Sequence, residues 1–200
     1  AKDHTKLKAG MVFGNWTYLG CTSIVSLNPS FVQANFGSDT GYLAVRLNDV
    51  KAGTYELAFK VSRNTSNGVM DILVLPGNTA NISDAIANAA KAGEIDGYTS
   101  AAPQQTAGKV TFEEDGSYIL VVKAKGPSPL GGNGYRIRLI SMDLNEAVAD
   151  ANTPSVKAID PTIPVPGPGE GEGDGGNTEV PEHDYVFNSG SDVAYKSNAK

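Results

Sequence analysis

The chain is short of the residues that most site chemistry needs. It has one cysteine, Cys21, one tryptophan, Trp16, and two histidines, His4 and His183, in 200 residues. A single cysteine rules out an intrachain disulfide, and a thiol nucleophile needs a histidine beside it. Both histidines stand near a terminus, outside the expected core. Cys21 therefore reads as a small buried hydrophobe rather than a catalytic thiol. There is no zinc-spaced set of Cys and His, no phosphate loop opening a helix and no nucleophile elbow. No apolar run approaches the ~20 residues that a membrane-spanning helix needs, so membrane insertion is not expected.

Charge of one sign is also lacking where it would count. Residues 1–149 carry 13 Lys and Arg against 13 Asp and Glu, and residues 150–200 carry 3 against 9. The net charge of −6 therefore lies in the tail. A neutral body without a basic cluster argues against nucleic acid, whose phosphates demand a positive patch. The acidic tail reads as a solvated spacer.

What the chain does have is one phrase written twice. Ala52-Gly53-Thr54-Tyr55-Glu56-Leu57-Ala58-Phe59-Lys60-Val61 is echoed by Asp115-Gly116-Ser117-Tyr118-Ile119-Leu120-Val121-Val122-Lys123-Ala124. Each copy is a turn followed by a strand. In the first, Tyr55, Leu57, Phe59 and Val61 share one face, and Glu56, Ala58, Lys60 and Ser62 share the other. That alternation is the mark of a half-buried strand. Tyr55 and Tyr118 are expected to pack in the core.

Similar short segments fill residues 1–149. Val12–Leu19 and Thr22–Leu27 are broken by Gly20. Phe31–Phe36 follows the Asn28-Pro29 turn signal, and Tyr42–Leu47 leads into Gly53. The Asn67-Gly68 pair predicts a hairpin between Thr54–Ser62 and the apolar strand Val69–Leu75. Ile82, Ala85, Ile86, Ala89 and Ala90 fall at helical spacing and predict a short helix over Ser83–Ala92, stopped by Gly93. Strands resume at Lys109–Phe112, Tyr118–Lys125 and Tyr135–Leu144. In the last, the apolar residues change phase between Leu139 and Met142, which predicts a β-bulge. About nine short strands with regular turns predict an all-β fold, a β-sandwich of jelly-roll type with one helical insertion.

From Asp150 to Pro181 the chain is dense in Pro and Gly. It reads as a linker that cannot bury enough surface to order itself. Residues 182–200, with Tyr185-Val186-Phe187 and Val193-Ala194-Tyr195, read as the truncated start of another module or an extended tail. The chain begins at Ala1 without Met, which suits a mature or trimmed product, and it is read as a monomeric module of a larger protein.

No catalytic residue is expected. The obvious acid cluster, Glu113-Glu114-Asp115, reads as solvated turn residues. Asp71 interrupts an apolar strand, either as a solvent-facing residue or as a ligand for a structural Ca²⁺; Asp39, Asp49 and Asp143 are equally placed. No other cofactor is expected. Sugars stack on aromatic faces with polar groups at their hydroxyls. Trp16, Tyr42, Tyr98 and Tyr135 are the candidates for that role, each set beside a Gly, an Asn or a loop.

From Gly41 to Leu144 the chain resembles the jelly-roll carbohydrate-binding modules with a galactose-binding-like sandwich. These modules are appended to secreted bacterial polysaccharide-degrading enzymes. The likeness rests on Gly41-Tyr42-Leu43-Ala44-Val45, on Ala52-Gly53-Thr54-Tyr55-Glu56-Leu57 and on Asn133-Gly134-Tyr135-Arg136-Ile137. It implies that Asn133, at the start of the final strand, contacts sugar. It also implies non-catalytic binding of polysaccharide, tethering a neighbouring module, at an extracellular or cell-surface location. The alternative is an adhesion or spacer sandwich with no sugar site.

Overall fold

The structure, a computed structural model, describes residues 11–12, 17–22, 24–28, 31–132 and 134–159. The two copies of the repeated phrase become strands that face each other across the core. In β6 (Gly53–Val61) Leu57, Phe59 and Val61 are buried while Lys60 is exposed. In β10 (Gly116–Pro127) Tyr118, Leu120, Val122 and Ala124 are wholly buried. Because side chains alternate along a strand, each copy offers one apolar face. The ring of Phe112 lies between the copies, 4.4 Å from the Tyr118 ring and 5.7 Å from that of Tyr55. Both tyrosines therefore pack, as their positions predict.

The other strands are β1 (Met11–Val12), β2 (Thr17–Cys21), β3 (Ile24–Asn28), β4 (Phe31–Asn35), β5 (Tyr42–Val50), β7 (Gly68–Pro76), β8 (Ala90–Asp96), β9 (Gln104–Phe112), β11 (Arg136–Glu146) and β12 (Ser155–Val156). The first sheet runs β2-β5-β10-β7-β8 and the second β9-β6-β11-β4-β3, with β1 added on β11 and β12 on β9. Every ladder is antiparallel except β12 on β9. The sheets join at one pair, Gly93 of β8 against Gly108 of β9. This is the all-β, jelly-roll sandwich that the strand pattern predicts. Cys21 is half-buried and packs against its core.

The repeated phrase marks where the chain changes sheets. At Gly53 it passes from β5 to β6, and at Gly116 from β9 to β10. The two crossings are tied together. Asp115 accepts from the backbone N–H of Ala52 at 2.9 Å and pairs with Lys51 at 2.5 Å. The acid cluster is thus more than solvated. Glu114 Oε1 accepts from the N–H groups of Ala158 and Ile159 at 3.0 and 3.3 Å, and Glu113 accepts from Ser155 at 2.7 Å.

Three expectations are corrected. The Asn67-Gly68 signal does not make a hairpin: β6 belongs to the second sheet and β7 to the first, so the loop is another crossing. The helix is shorter than predicted. Ile82–Ala85 forms α1, capped by the Asn81 side chain, Ile86–Asn88 adds a 3-10 turn, and Ala90–Ala92 already belong to β8. Small alanines carried the helical spacing into a strand. The linker does not begin at Asp150, because Val156 and Ala158 are buried on the sandwich and Gly77 donates to the Ala158 carbonyl. Those two apolar side chains give residues 150–159 something to bury. The remaining part of the expected linker, and residues 182–200, lie outside the described residues.

The first sheet is covered on its outer side too. Ile82 of α1 sits with Ala44, Leu73, Leu75, Ile119 and Val121 in a second, smaller apolar cluster. That explains why β7 and β10 read as near-continuous apolar runs. Beyond this cover, the same face carries ions. Lys91 pairs with Asp71 at 2.8 Å and Glu94 at 2.7 Å, and Lys125 reaches Glu94 at 2.5 Å. Asp71 thus faces outward, and a cation there would have to displace an ammonium. Hydrogen bonds from Lys125 and then Lys91 lower the Glu94 pKa from 4.5 to about 2. A carboxylate whose folded pKa is depressed adds stability above its unfolded pKa and loses it as pH falls towards the folded one. The melting temperature should fall between pH 4.5 and 2. In Glu94→Gln that fall should be shallower, by a modest amount because the pair is partly solvated. Parallel pH curves for the two proteins would contradict this.

Candidate functional site

Three loops meet at the pole opposite the Gly53 and Gly116 crossings: residues 62–68, 97–103 and, of the third, 126–132 with 134–135. Their backbones approach closely. A β-carbon on Gly132 would lie 2.8 Å from the Asn67 carbonyl oxygen and 3.0 Å from the Tyr98 ring. Asn67, wholly buried, holds the meeting point. Its amide donates to the Ser62 carbonyl at 2.9 Å, and its Oδ1 accepts from Arg136 Nε at 3.0 Å. A terminal nitrogen of Arg136 donates to Asn64 Oδ1. Asp96 braces the other two loops: Oδ1 accepts from Tyr98 N–H at 2.9 Å and Oδ2 from the buried Ser128 hydroxyl at 2.6 Å. Gln105 closes the set, exchanging bonds with the backbone of Asp96 at 2.7 and 2.5 Å.

The expected ligand residues fare differently here. Tyr98 is half-buried, with its ring resting on Gly131 and Gly132. Tyr135 is half-buried and packs against the main core. The structure brings their loops together. Tyr42 is elsewhere, on the outer side of the first sheet in the cluster under α1. Burial, and then nearby Cys21, raises its pKa. Trp16 and Asn133 lie outside the described residues.

A second feature escaped the search for aromatics. On the face of the second sheet turned away from the core, left open by the described residues, a cleft of about 310 Å³ is lined by Ala58, Lys60, Gln104, Thr106, Ser141 and Asp143, among others. Bulges made it. The register shifts between Leu57 and Ala58 against β9, and between Leu139 and Ser141 against β6. A bulge bends its strand and sharpens the local twist, and here two of them flank β6. The lining offers an ammonium, a carboxylate, two hydroxyls and an amide, held on strands. Asp143 is the only carboxylate among these lining residues.

The same face continues along β11 to Arg138 and Arg136. Arg138 donates to Gln33 Oε1 at 2.6 Å and lies 5.2 Å from the Phe31 ring centroid, a cation–π contact. Burial lowers the Arg136 pKa, and the charge of Arg138 lowers it further. The one sequence signal for this region was the phase change in β11, which marks the bulge beside the cleft.

Comparison with known proteins gives fold and little else. No protein-family model and no curated protein sequence matches the chain. Part of a Paenibacillus xanthan lyase superposes on it with TM-score 0.54 at 18% identity, covering 72% of this chain and 14% of the lyase. The chain thus spans about a seventh of that enzyme's length. A variant of CBM29-2, a family 29 carbohydrate-binding module, aligns with TM-score 0.41 at 14% identity, covering 68% of this chain and 87% of the module. A Podospora anserina GH26-CBM35 β-(1,4)-mannanase aligns with TM-score 0.37 at 14% identity, covering 72% of this chain and 27% of the mannanase.

Proposed function

We propose that this sandwich is a non-catalytic polysaccharide-binding module, working at an extracellular or cell-surface location beside another module. The observation that carries the reading is the cleft on the open face of the second sheet. Its lining is polar, it is mounted on three paired strands, and the opposite sheet is closed by α1. Alternating donors and acceptors on a rigid, bent sheet suit a chain of hydroxyls. Asp143 is the one carboxylate in the lining, and Glu56 next to it on β6 accepts from the Thr106 hydroxyl at 3.2 Å; both serve as polar contacts for a ligand rather than as the acid pair of glycoside hydrolysis. The sandwich that superposes on this one belongs to a lyase named for xanthan, which supports placing the module near polysaccharide. Tethering raises the local concentration of substrate for a neighbour, so even a weak contact serves.

The spacer reading draws support from the packing of Tyr42 and Tyr135 into apolar clusters. Affinity electrophoresis of the whole chain through gels containing plant, bacterial and algal polysaccharides separates the two. At least one polymer should retard the chain. The double substitution Lys60→Ala and Asp143→Ala should weaken that retardation by about tenfold, the loss of two net hydrogen bonds, without moving the melting temperature by more than a few degrees. No retardation on any polymer leaves the spacer reading standing.

A further inference from the structure

We infer that the sugar bound at this face is acidic, and that Arg136 and Arg138 receive its carboxylate or sulfate group. The inference rests on the polysaccharide-binding reading and narrows its ligand class. Arg136 and Arg138 are two apart on β11 and opposite Asn35 and Gln33 of β4, so both stand on the open face, roughly 7 Å apart along the strand. Among the described residues, neither forms a salt bridge; the ion pairs that do occur all use lysines. Their partners are neutral amides: Gln33 for Arg138, Asn64 and Asn67 for Arg136.

Arg46 and Arg63 also have neutral partners, but Arg136 and Arg138 are the two that stand side by side on one strand. A guanidinium is commonly neutralised by a carboxylate, with which its fork makes two parallel bonds. Here Gln33 takes the inner nitrogen of Arg138, while Asn67 and Asn64 take the inner nitrogen and one terminal nitrogen of Arg136, and these bonds fix the planes. Both terminal nitrogens of Arg138 are left without a hydrogen bond among the described residues. Two like charges side by side raise each other's cost; burial first, and then the charge of Arg138, lowers the Arg136 pKa. An oxyanion set between them would relieve that repulsion and accept from the Arg138 fork and from the terminal nitrogen of Arg136 that Asn64 does not take. The Phe31 ring beneath Arg138 gives the sugar an apolar edge to rest on. Along β11 the face then passes to Ser141 and Asp143 in the cleft. A carboxylate-bearing residue would be repelled by Asp143, so the acidic sugar is placed at the arginine end and neutral residues at the other.

The test uses the whole chain in three gels, holding polygalacturonate, a sulfated galactan and neutral glucomannan, each at low and high salt. An acidic polymer should retard the chain most, and salt should weaken that retardation. Arg138→Ala should weaken it by at least about tenfold. Arg138→Lys, which keeps charge but loses the fork, should recover only part. Lys51→Ala, at the opposite pole, should leave it unchanged. Which acidic polymer wins distinguishes carboxylate from sulfate, and either supports the inference. Equal binding to glucomannan, untouched by Arg138→Ala, overturns the acidic ligand and leaves the polysaccharide reading intact. An equal loss in Lys51→Ala and Arg138→Ala overturns it too, because the attraction is then to net charge. No retardation by any polymer overturns both.

Discussion

Gly93→Ala should be among the most damaging single substitutions in this fold, lowering the melting temperature by roughly 10 °C or more. Gly93 and Gly108 face each other at the one pair that joins the two sheets, at φ of +157° and +155°. Such angles are open to glycine and strained for a residue with a β-carbon. A methyl group on Gly93 would also run into the Ala107 carbonyl oxygen, and one on Gly108 into that of Ala92. These neighbours are backbone, which cannot swing aside as a side chain can. Strain of about 1–3 kcal/mol adds to overpacking of a similar size, so the total is about 2–6 kcal/mol. Gly37→Ala is a useful contrast, since it shares a positive φ but has nothing within 4 Å of the added carbon. Thermal melts of the two variants separate backbone strain alone from strain with collision. If Gly93→Ala melts no lower than Gly37→Ala, the close seam is not a constraint.

The second large effect is expected at Asn67. Its amide supplies a donor to Ser62 and an acceptor to Arg136, at full burial. Asn67→Ala leaves the Ser62 carbonyl and the Arg136 Nε–H without these partners. Leaving buried polar groups unmade costs more than a typical bond contributes, so about 2–4 kcal/mol should be lost. The loss should be local in character. Gly97 N–H donates to Gly68 and Asn64 N–H to Gly97, across the same loop junction. Hydrogen exchange at these two amides should quicken more than at Leu120 or Val122 in the centre of β10. Uniform quickening through the domain would show that Asn67 holds the whole sandwich rather than its loop pole.

Sequence patterning revealed most of what alternation can encode. Leu57, Phe59 and Val61 announced an inward face, and the phase change between Leu139 and Met142 announced the bulge now seen in β11. It failed where composition was weak or the choice lay with distant partners. The strand β8 begins with Ala90-Lys91-Ala92-Gly93, too poor in large side chains to outweigh the helical spacing just before it. Asn67-Gly68 specifies a reversal of direction, but whether the strands on either side pair with each other is decided by β9, β11 and β10. The same limit hid the cleft. Lys60, Thr106, Ser141 and Asp143 each look like an ordinary outward residue, and only pairing across β9, β6 and β11 sets them around one hollow. The aromatic search found Tyr98 in a loop that does converge with others, and found Tyr42 and Tyr135 in packing roles.

The short strand β12 has a mechanical consequence. It seats the last described residues at the pole of the Gly53 and Gly116 crossings, and the three loops and Arg136 occupy the other pole. A pull between the loop pole and Ile159 therefore runs along the strands. Antiparallel ladder bonds stand across that direction, so the long ladders of β6 and β10 would be sheared as a group instead of unzipped singly. The short β12 ladder, the Glu113 and Glu114 contacts and the Gly77 bond to the Ala158 carbonyl hold this end with fewer bonds than the long ladders have. They form a weak link that would release some slack before the sandwich itself is strained.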